Sequence, residues 1–269
     1  MEDNILLTLS KDFMVAKDNK LIHSKFEMSA LEQKLVLILA STIRPEDYYI
    51  NRVSFRIKDL SELMDVTPEF LYKELPKATK KIMSKVIEVQ NSKNKWEMMH
   101  IVSYANYDGA SGLFTLEFCE QVKPYLIHLQ QLYTAYKLEN VLSLSSKYAI
   151  RLYELTKSHS FKGQHIIKLE EFKSLLQLKQ LSYMEFGNIN AKVLKPSIKE
   201  INSKTDLHIE VTPIKLGKKV EFLQFDIKSR IKITQGEKAS STIKNKLKCA
   251  NFTEREYDVN KLEKQLLGY

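Results

Sequence analysis

Glycine, cysteine and long apolar runs are scarce in this sequence, and each scarcity removes a class of protein. Seven glycines in 269 residues leave little material for phosphate-cradling loops. Neither GxxxxGK(S/T) nor GxGxxG occurs, so a nucleotide-binding enzyme has no visible cradle. Cys119 and Cys249 are the only cysteines, far apart and outside any CxxC pattern. That argues against a disulfide framework or a cysteine zinc site and suits a reducing cytosol. The longest apolar run, LVLILA at 35–40, is too short to span a bilayer. The start, MEDNILLTLSKDF, is acidic before it is apolar, the reverse of a secretory signal. A cytoplasmic protein with no membrane partner is expected. The six histidines form neither HExxH nor a His-x-His pair, and His159 and His165, flanking a turn at Gly163, read as surface residues rather than metal ligands. The 13 tyrosines sit mostly at apolar periodic positions, which favours core and interface roles over nucleophiles. No enzyme, cofactor or metal is expected.

What the chain does have is positive charge. The formal net charge is +9 and the pI about 9.2, with 43% hydrophobic and 28% charged residues. That composition folds. The excess suits a polyanionic partner, nucleic acid or an acidic membrane surface, or else an ordinary basic surface in water.

A pattern then appears and returns. In MSALEQKLVLILASTI, Ser29 and Glu32 make a capping box, and Leu31, Leu35, Ile38 and Leu39 supply a helical stripe. In LSSKYAIRLYELTKSH, Ser145 takes the capping place and Tyr148, Leu152 and Leu155 the stripe. Ile57, Leu60, Leu63, Met64 and Val66 have short-helix spacing, and Thr67-Pro68 starts another helix. Leu169, Phe172, Leu175, Leu176 and Leu178 repeat that spacing.

A lysine-faced helix follows in each half. In EFLYKELPKATKKIMSKVIEVQ, Leu71, Leu75, Ile82 and Val86 face one way while Lys73, Lys77, Lys80 and Lys81 face the other. In NINAKVLKPSIKEIN, Ile189, Val193, Leu194, Ile198 and Ile201 share one half of the helical wheel; Lys192, Lys195 and Lys199 gather on the other with Asn188. Asn190 falls in the apolar arc, which predicts a helix start close to it with an Asn as cap. Pro196 predicts a kink or a local irregularity. Hairpins follow: WEMMHIVSY and LFTLEF about the turn NYDGASG, then LHIEV and VEFLQFDI about Gly217. CEQVKPYLIHLQQLYTAY, between the halves, reads as helical.

Helix, helix, basic helix and hairpin make the order of a winged helix-turn-helix. The predicted fold is α+β: tandem winged-helix domains at 1–136 and 137–230, then a basic tail at 231–269. The tail ends in FTEREYDVNKLEKQLLGY, where Thr253 caps a short helix that either docks on a partner or packs back on its own body. A reading helix needs an apolar back and a cationic front. Asn188, Asn190 and Lys192 are types that donate to base edges; Lys195 and Lys199 suit phosphates; Lys215, Lys218 and Lys219 sit at a wing tip. One lysine face is ordinarily just solvated, but two, each followed by a wing, favour DNA.

Three segments carry a resemblance: VAKDNKLIHSKFEMSALEQKLVLILASTI (15–43), PYLIHLQQLYTAYKLENVLSLSSKYAIRLYELTKS (124–158) and KVLKPSIKEINSKTDLHIEV (192–211). With their connections, roughly residues 12 to 230, they resemble the replication initiator proteins of iteron-containing, theta-replicating plasmids. The resemblance implies that the C-terminal domain makes the principal contacts to repeated origin sequences. The N-terminal domain contributes to dimerisation and to the other end of the repeat. Monomers bind direct repeats, promote duplex opening and recruit host replication proteins such as a helicase or initiator; dimers repress their own gene. The reading role falls on Asn188, Asn190, Ala191, Lys192, Lys195 and Lys199. Here NAK stands where many members carry more arginine or lysine, so bidentate guanine contacts by Arg are absent there. Two other functions compete: a tandem winged-helix transcriptional repressor, and a rolling-circle nicking enzyme, against which the missing His-x-His pair argues.

Overall fold

A computed structural model describes residues 5–6, 9–43, 47, 49, 51–92, 94–129 and 132–230. The predicted tail and its terminal helix, 231–269, lie outside the described residues. In the first unit β1 (Ile5–Leu6), β2 (Met14–Asp18) and α1 (Asn19–Ile22) precede α2 (Ala30–Ser41). Ser29 caps α2 through the reciprocal box with Glu32, an arrangement of about 1 kcal/mol. Then come β3 (Val53–Arg56), α3 (Ile57–Met64) and α4 (Pro68–Met83). Asp65 turns the chain between α3 and α4 in the left-handed region, φ 54°, a conformation Asp tolerates better than most side chains. Thr67 Oγ1 accepts the Phe70 N–H at 3.3 Å and Pro68 opens α4. The strands β4 (Val86–Ser92), β5 (Lys95–His100), β6 (Val102–Asp108) and β7 (Leu113–Phe118) complete the unit.

The second unit repeats the order: β8 (Tyr133–Lys137), α5 (Leu138–Leu142), α6 (Lys147–Lys157), β9 (Gln164–Lys168) and α7 (Leu169–Leu175). Next come α8 (Phe186–Ile189), a π turn (Asn190–Leu194), α9 (Lys195–Lys204), β10 (Leu207–Leu216) and β11 (Lys219–Ser229). The sheets match: β3–β7–β6, with β1 added on the edge in parallel, corresponds to β9–β11–β10. Both units are winged helices, and the fold is α+β. The β4–β5 hairpin is an insertion between the first reading helix and its wing.

The units meet through β2 and β8, antiparallel with Ala16 opposite Ala135 and Val15 opposite Tyr136. Beneath that ladder Lys17 forms a fully buried ion pair with Glu154, which also accepts from the Tyr136 hydroxyl. Burial pushes Glu154 up, but Lys17 and Arg151 outweigh it and hold the carboxyl below its ordinary range. Arg151 Nη2 donates to the Ser24 carbonyl at 2.8 Å, and its guanidinium lies 4.1 Å from the Phe26 ring centre.

Four expectations need correction. α6 is capped by Ser146, not Ser145; the Ser145 N–H instead donates to Glu200 at 2.7 Å. WEMMHIVSY is not one strand, since β5 pairs with β4 and β6 with β7. Val86 belongs to β4, where Ile87 and Val89 are buried in alternation, the period of a strand and not of a helix. CEQVKPYLIHLQQLYTAY is a 3-10 turn at Glu120–Tyr125 and then β8. Pro124 and left-handed His128 and Leu132 interrupt it, and pairing with a strand over a hundred residues earlier decides the rest.

Candidate nucleic-acid interface

In the second unit the reading helix runs from Phe186 to Lys204 as α8, the π turn and α9. Ile189, Val193, Leu194, Ser197 and Ile201 are buried and form its back. Ala191, Lys192, Lys195, Pro196 and Lys199 are exposed and form its front. Asn188 and Asn190 lie half-exposed on its flanks. The cap is Glu185, whose side chain makes no capping bond, and not an asparagine. The irregularity expected from Pro196 takes a definite form: the Lys195 N–H donates to the Asn190 carbonyl five residues back, a π bond. Proline has no N–H, and in an α-helix its ring strikes the carbonyl four residues earlier, here that of Lys192. The wider turn relieves that clash. Asn202 fixes the far end, donating to the Ile209 carbonyl at 2.9 Å and accepting its N–H at 2.7 Å.

The wing β10–β11 ends at Gly217, φ 64°, after a register shift between Ile214 and Lys215. Lys215, Lys218 and Lys219 are exposed at its tip. Together with Lys192, Lys195 and Lys199 they make no ion pair among the described residues, so six ammonium groups stand free. These are two clusters, one along the helix front and one at the wing tip.

In the first unit Lys73, Lys77, Lys80 and Lys81 are all exposed on α4. Lys77 is already paired with Glu74 at 2.9 Å. Phe70 and Tyr72 are also exposed, at 45% and 41%; apolar contact of this kind suits a thymine methyl. Sequence reasoning misses them, though they fall off the Leu71, Leu75, Ala78, Ile82 stripe that is buried, which is the signal that finds them. Pro76 lies inside α4. The carbonyl it leaves without an N–H, that of Tyr72, accepts the Tyr107 hydroxyl from β6 at 3.3 Å. The tip of this wing is acidic: Asp108 accepts from Ser111 Oγ at 2.6 Å and from the backbone N–H groups of Ala110 and Ser111. Those bonds, the Ser111 hydroxyl first, hold its carboxyl below the usual range.

His159 and His165 are not free surface residues. Their rings stack at 3.7 Å and 5°, both Nε2 atoms are buried without a hydrogen-bond partner, and His23 meets His159 edge-on at 5.3 Å. Burial lowers all three, His23 and His165 to about 4. Among the described residues no group of three His, Cys, Asp or Glu is placed to hold a metal ion, and no helix is long and apolar enough to cross a membrane. What the arrangement can do is bind: two apolar-backed helices with cationic fronts, one of them beside a cationic wing.

Comparison with known proteins gives the same architecture. Residues 14–157 match the family described as Initiator Replication protein, WH1, and residues 168–227 that described as Initiator Rep protein, WH2. A replication initiation protein of Escherichia coli is 31% identical over 226 residues, which cover 80% of this chain and 70% of that protein. The PI protein of Escherichia coli is 25% identical over 264 residues, covering 84% and 86%. A crystal structure of Pi initiator protein in complex with iteron DNA superposes with a TM-score of 0.67 at 22% identity, covering 82% of this chain and 99% of that one.

Proposed function

This chain belongs to the initiator replication protein family, and from that premise we propose that it binds direct repeats in a plasmid origin as double-stranded DNA. Residues 137–230 supply the principal reader. Asn188, Asn190, Ala191 and Lys192 lie toward base edges, and Lys195, Lys199, Lys215, Lys218 and Lys219 against phosphates. Residues 1–136 supply dimerisation and a second contact through Lys73, Lys77, Lys80 and Lys81. Binding energy rather than nucleotide hydrolysis opens the adjacent duplex, and host replication proteins, a helicase or an initiator, are recruited to it. As a dimer the protein represses its own gene. It works in the cytoplasm. The assignment involves no covalent chemistry and no cofactor.

The observation that carries this reading is the set of unpaired lysines on the front of a helix whose back is buried, beside a lysine-tipped wing. Two modules on one chain raise affinity through effective concentration. The test is a footprint of the purified protein on DNA around its own gene, without nucleotide or metal. Evenly spaced protected direct repeats are expected. Protection of one inverted repeat alone would make it a repressor. Metal-dependent cleavage with a tyrosyl adduct would make it a nicking enzyme.

A further inference from the structure

Counting back from Ile201 along the reading helix, Ser197 and Leu194 are buried at spacings of four and three. One more α turn, four residues before Leu194, lands on Asn190. The first unit makes the step the sequence would lead one to expect. There Leu71, Leu75, Ala78 and Ile82 are all buried at spacings of four, three and four, so Leu71 holds the place an unbroken α-helix would assign to Asn190. An asparagine buried in that place would leave its amide without partners. Instead Ile189, five residues before Leu194, is fully buried, and Asn190 is half-exposed. The π turn accounts for the exchange, because it takes up one extra residue between the two ends of the helix.

We propose that Pro196 is a positioning residue for base recognition: the π turn it imposes carries Asn190 out of the core to the flank of the reading helix, where its amide pairs with an adenine edge. The inference rests on the DNA-binding role proposed above. The chemistry is selective because an amide offers one donor and one acceptor, the complement of adenine N7 and N6 in the major groove. Alanine at 196 restores the N–H that an α-helix directs to the Lys192 carbonyl, and removes the ring that opposes it. The helix is then free to close into α register, which draws Asn190 inward and turns Ile189 outward. Pro196 acts through Asn190; its own exposed ring contributes no hydrogen bond.

The experiment measures affinity of the full chain for a footprinted repeat and for a panel in which each base pair is replaced in turn. Asn190→Ala is expected to flatten the preference for one A·T pair by about ten-fold, a change of 1.4 kcal/mol being ten-fold in an equilibrium constant. Pro196→Ala is expected to flatten the same pair, along with any pair read by Asn188, which moves with the same segment. At the pair they share, the double variant should be no flatter than the single ones. The slope of log affinity against log salt should stay unchanged in all three, since the phosphate-facing lysines are all retained. Asn190→Leu, which favours α register while keeping Pro196, should reproduce the Asn190→Ala profile, guarding against a proline variant that folds poorly. A Pro196→Ala protein that keeps the wild-type profile would overturn the positioning role, as would flattening that spares the pair lost in Asn190→Ala. Wild-type protein whose salt slope is unmoved by Lys195→Ala and which shows no base preference would overturn the DNA-binding assignment of this helix itself.

Discussion

Both reading helices carry a proline near the middle, and the two units dispose of it differently. In α4 the helix stays α, and the carbonyl orphaned by Pro76 is satisfied from outside, by the Tyr107 hydroxyl of the wing. In the second unit Pro196 is exposed and the helix changes its own register over Asn190–Leu194. The charges differ in the same sense. One of the α4 lysines is tied to Glu74 and the first wing tip carries Asp108, a carboxylate that repels phosphates. The second unit has free lysines on both helix and wing. The comparison teaches that equal topology does not mean equal work. Both units tie helix to wing, the first through Tyr107 and the second through Asn202, but the first uses its tie to satisfy the proline's carbonyl, whereas the second leaves its lysines free to face a ligand.

The largest expected effect tests the core register. Ile189→Ala and Leu71→Ala should each cost about 2–5 kcal/mol by urea unfolding, because the two side chains fill equivalent places. Asn190→Ala should cost far less, and the reverse order would mean that the second helix is α throughout. The next test concerns charge. Changing Lys195 and Lys199 to Ala should flatten the plot of log affinity against log salt by about 0.9 for each phosphate that is no longer neutralised. Lys77→Ala should flatten it less, since Glu74 already screens that ammonium. Equal flattening from both units would erase the contrast. A smaller effect concerns the brace: Tyr107→Phe should cost about 0.5–1.5 kcal/mol, and should cost less in a Pro76→Ala background, where a backbone N–H takes over the Tyr72 carbonyl.

The last test is of pH. Because burial depresses His23 and His165 to about 4, the unfolded chain takes up protons first as pH falls below about 6.5. The stability present above that value should decline between about 6.5 and 4. Arg151 and Lys162 add to the depression. A Leu71→Ala protein should show the same decline as wild type, and a urea midpoint flat across that window would contradict the buried stack.

Much of this is legible in the sequence, for local reasons. The Ser29–Glu32 box, the Thr67-Pro68 helix start, the β10–β11 hairpin and a disturbance at Pro196 are all announced by residues within a few positions of the feature. What is not legible depends on partners far along the chain. Tyr133–Tyr136 reads as helix until Met14–Asp18 lies beside it, and His165 looks solvated until its ring stacks on His159. The π turn is an intermediate case. Its signal, apolar Ile189 and Leu194 five apart around a polar Asn190, is present in the letters, but a wheel fixed at 3.6 residues per turn converts it into a misplaced asparagine.

The ladder between β2 and β8, with the Lys17–Glu154 bond beneath it, joins the units by a buried seam instead of a loose tether. For a chain that engages DNA through both helices at once, such a seam sets a phase. DNA turns once in about 10–10.5 base pairs, so a single pair inserted between the two half-sites swings one of them by about 34–36° around the axis. Half a turn of insertion presents the second site on the far side of the duplex. The protein would then count base pairs between sites as strictly as it reads the bases within them.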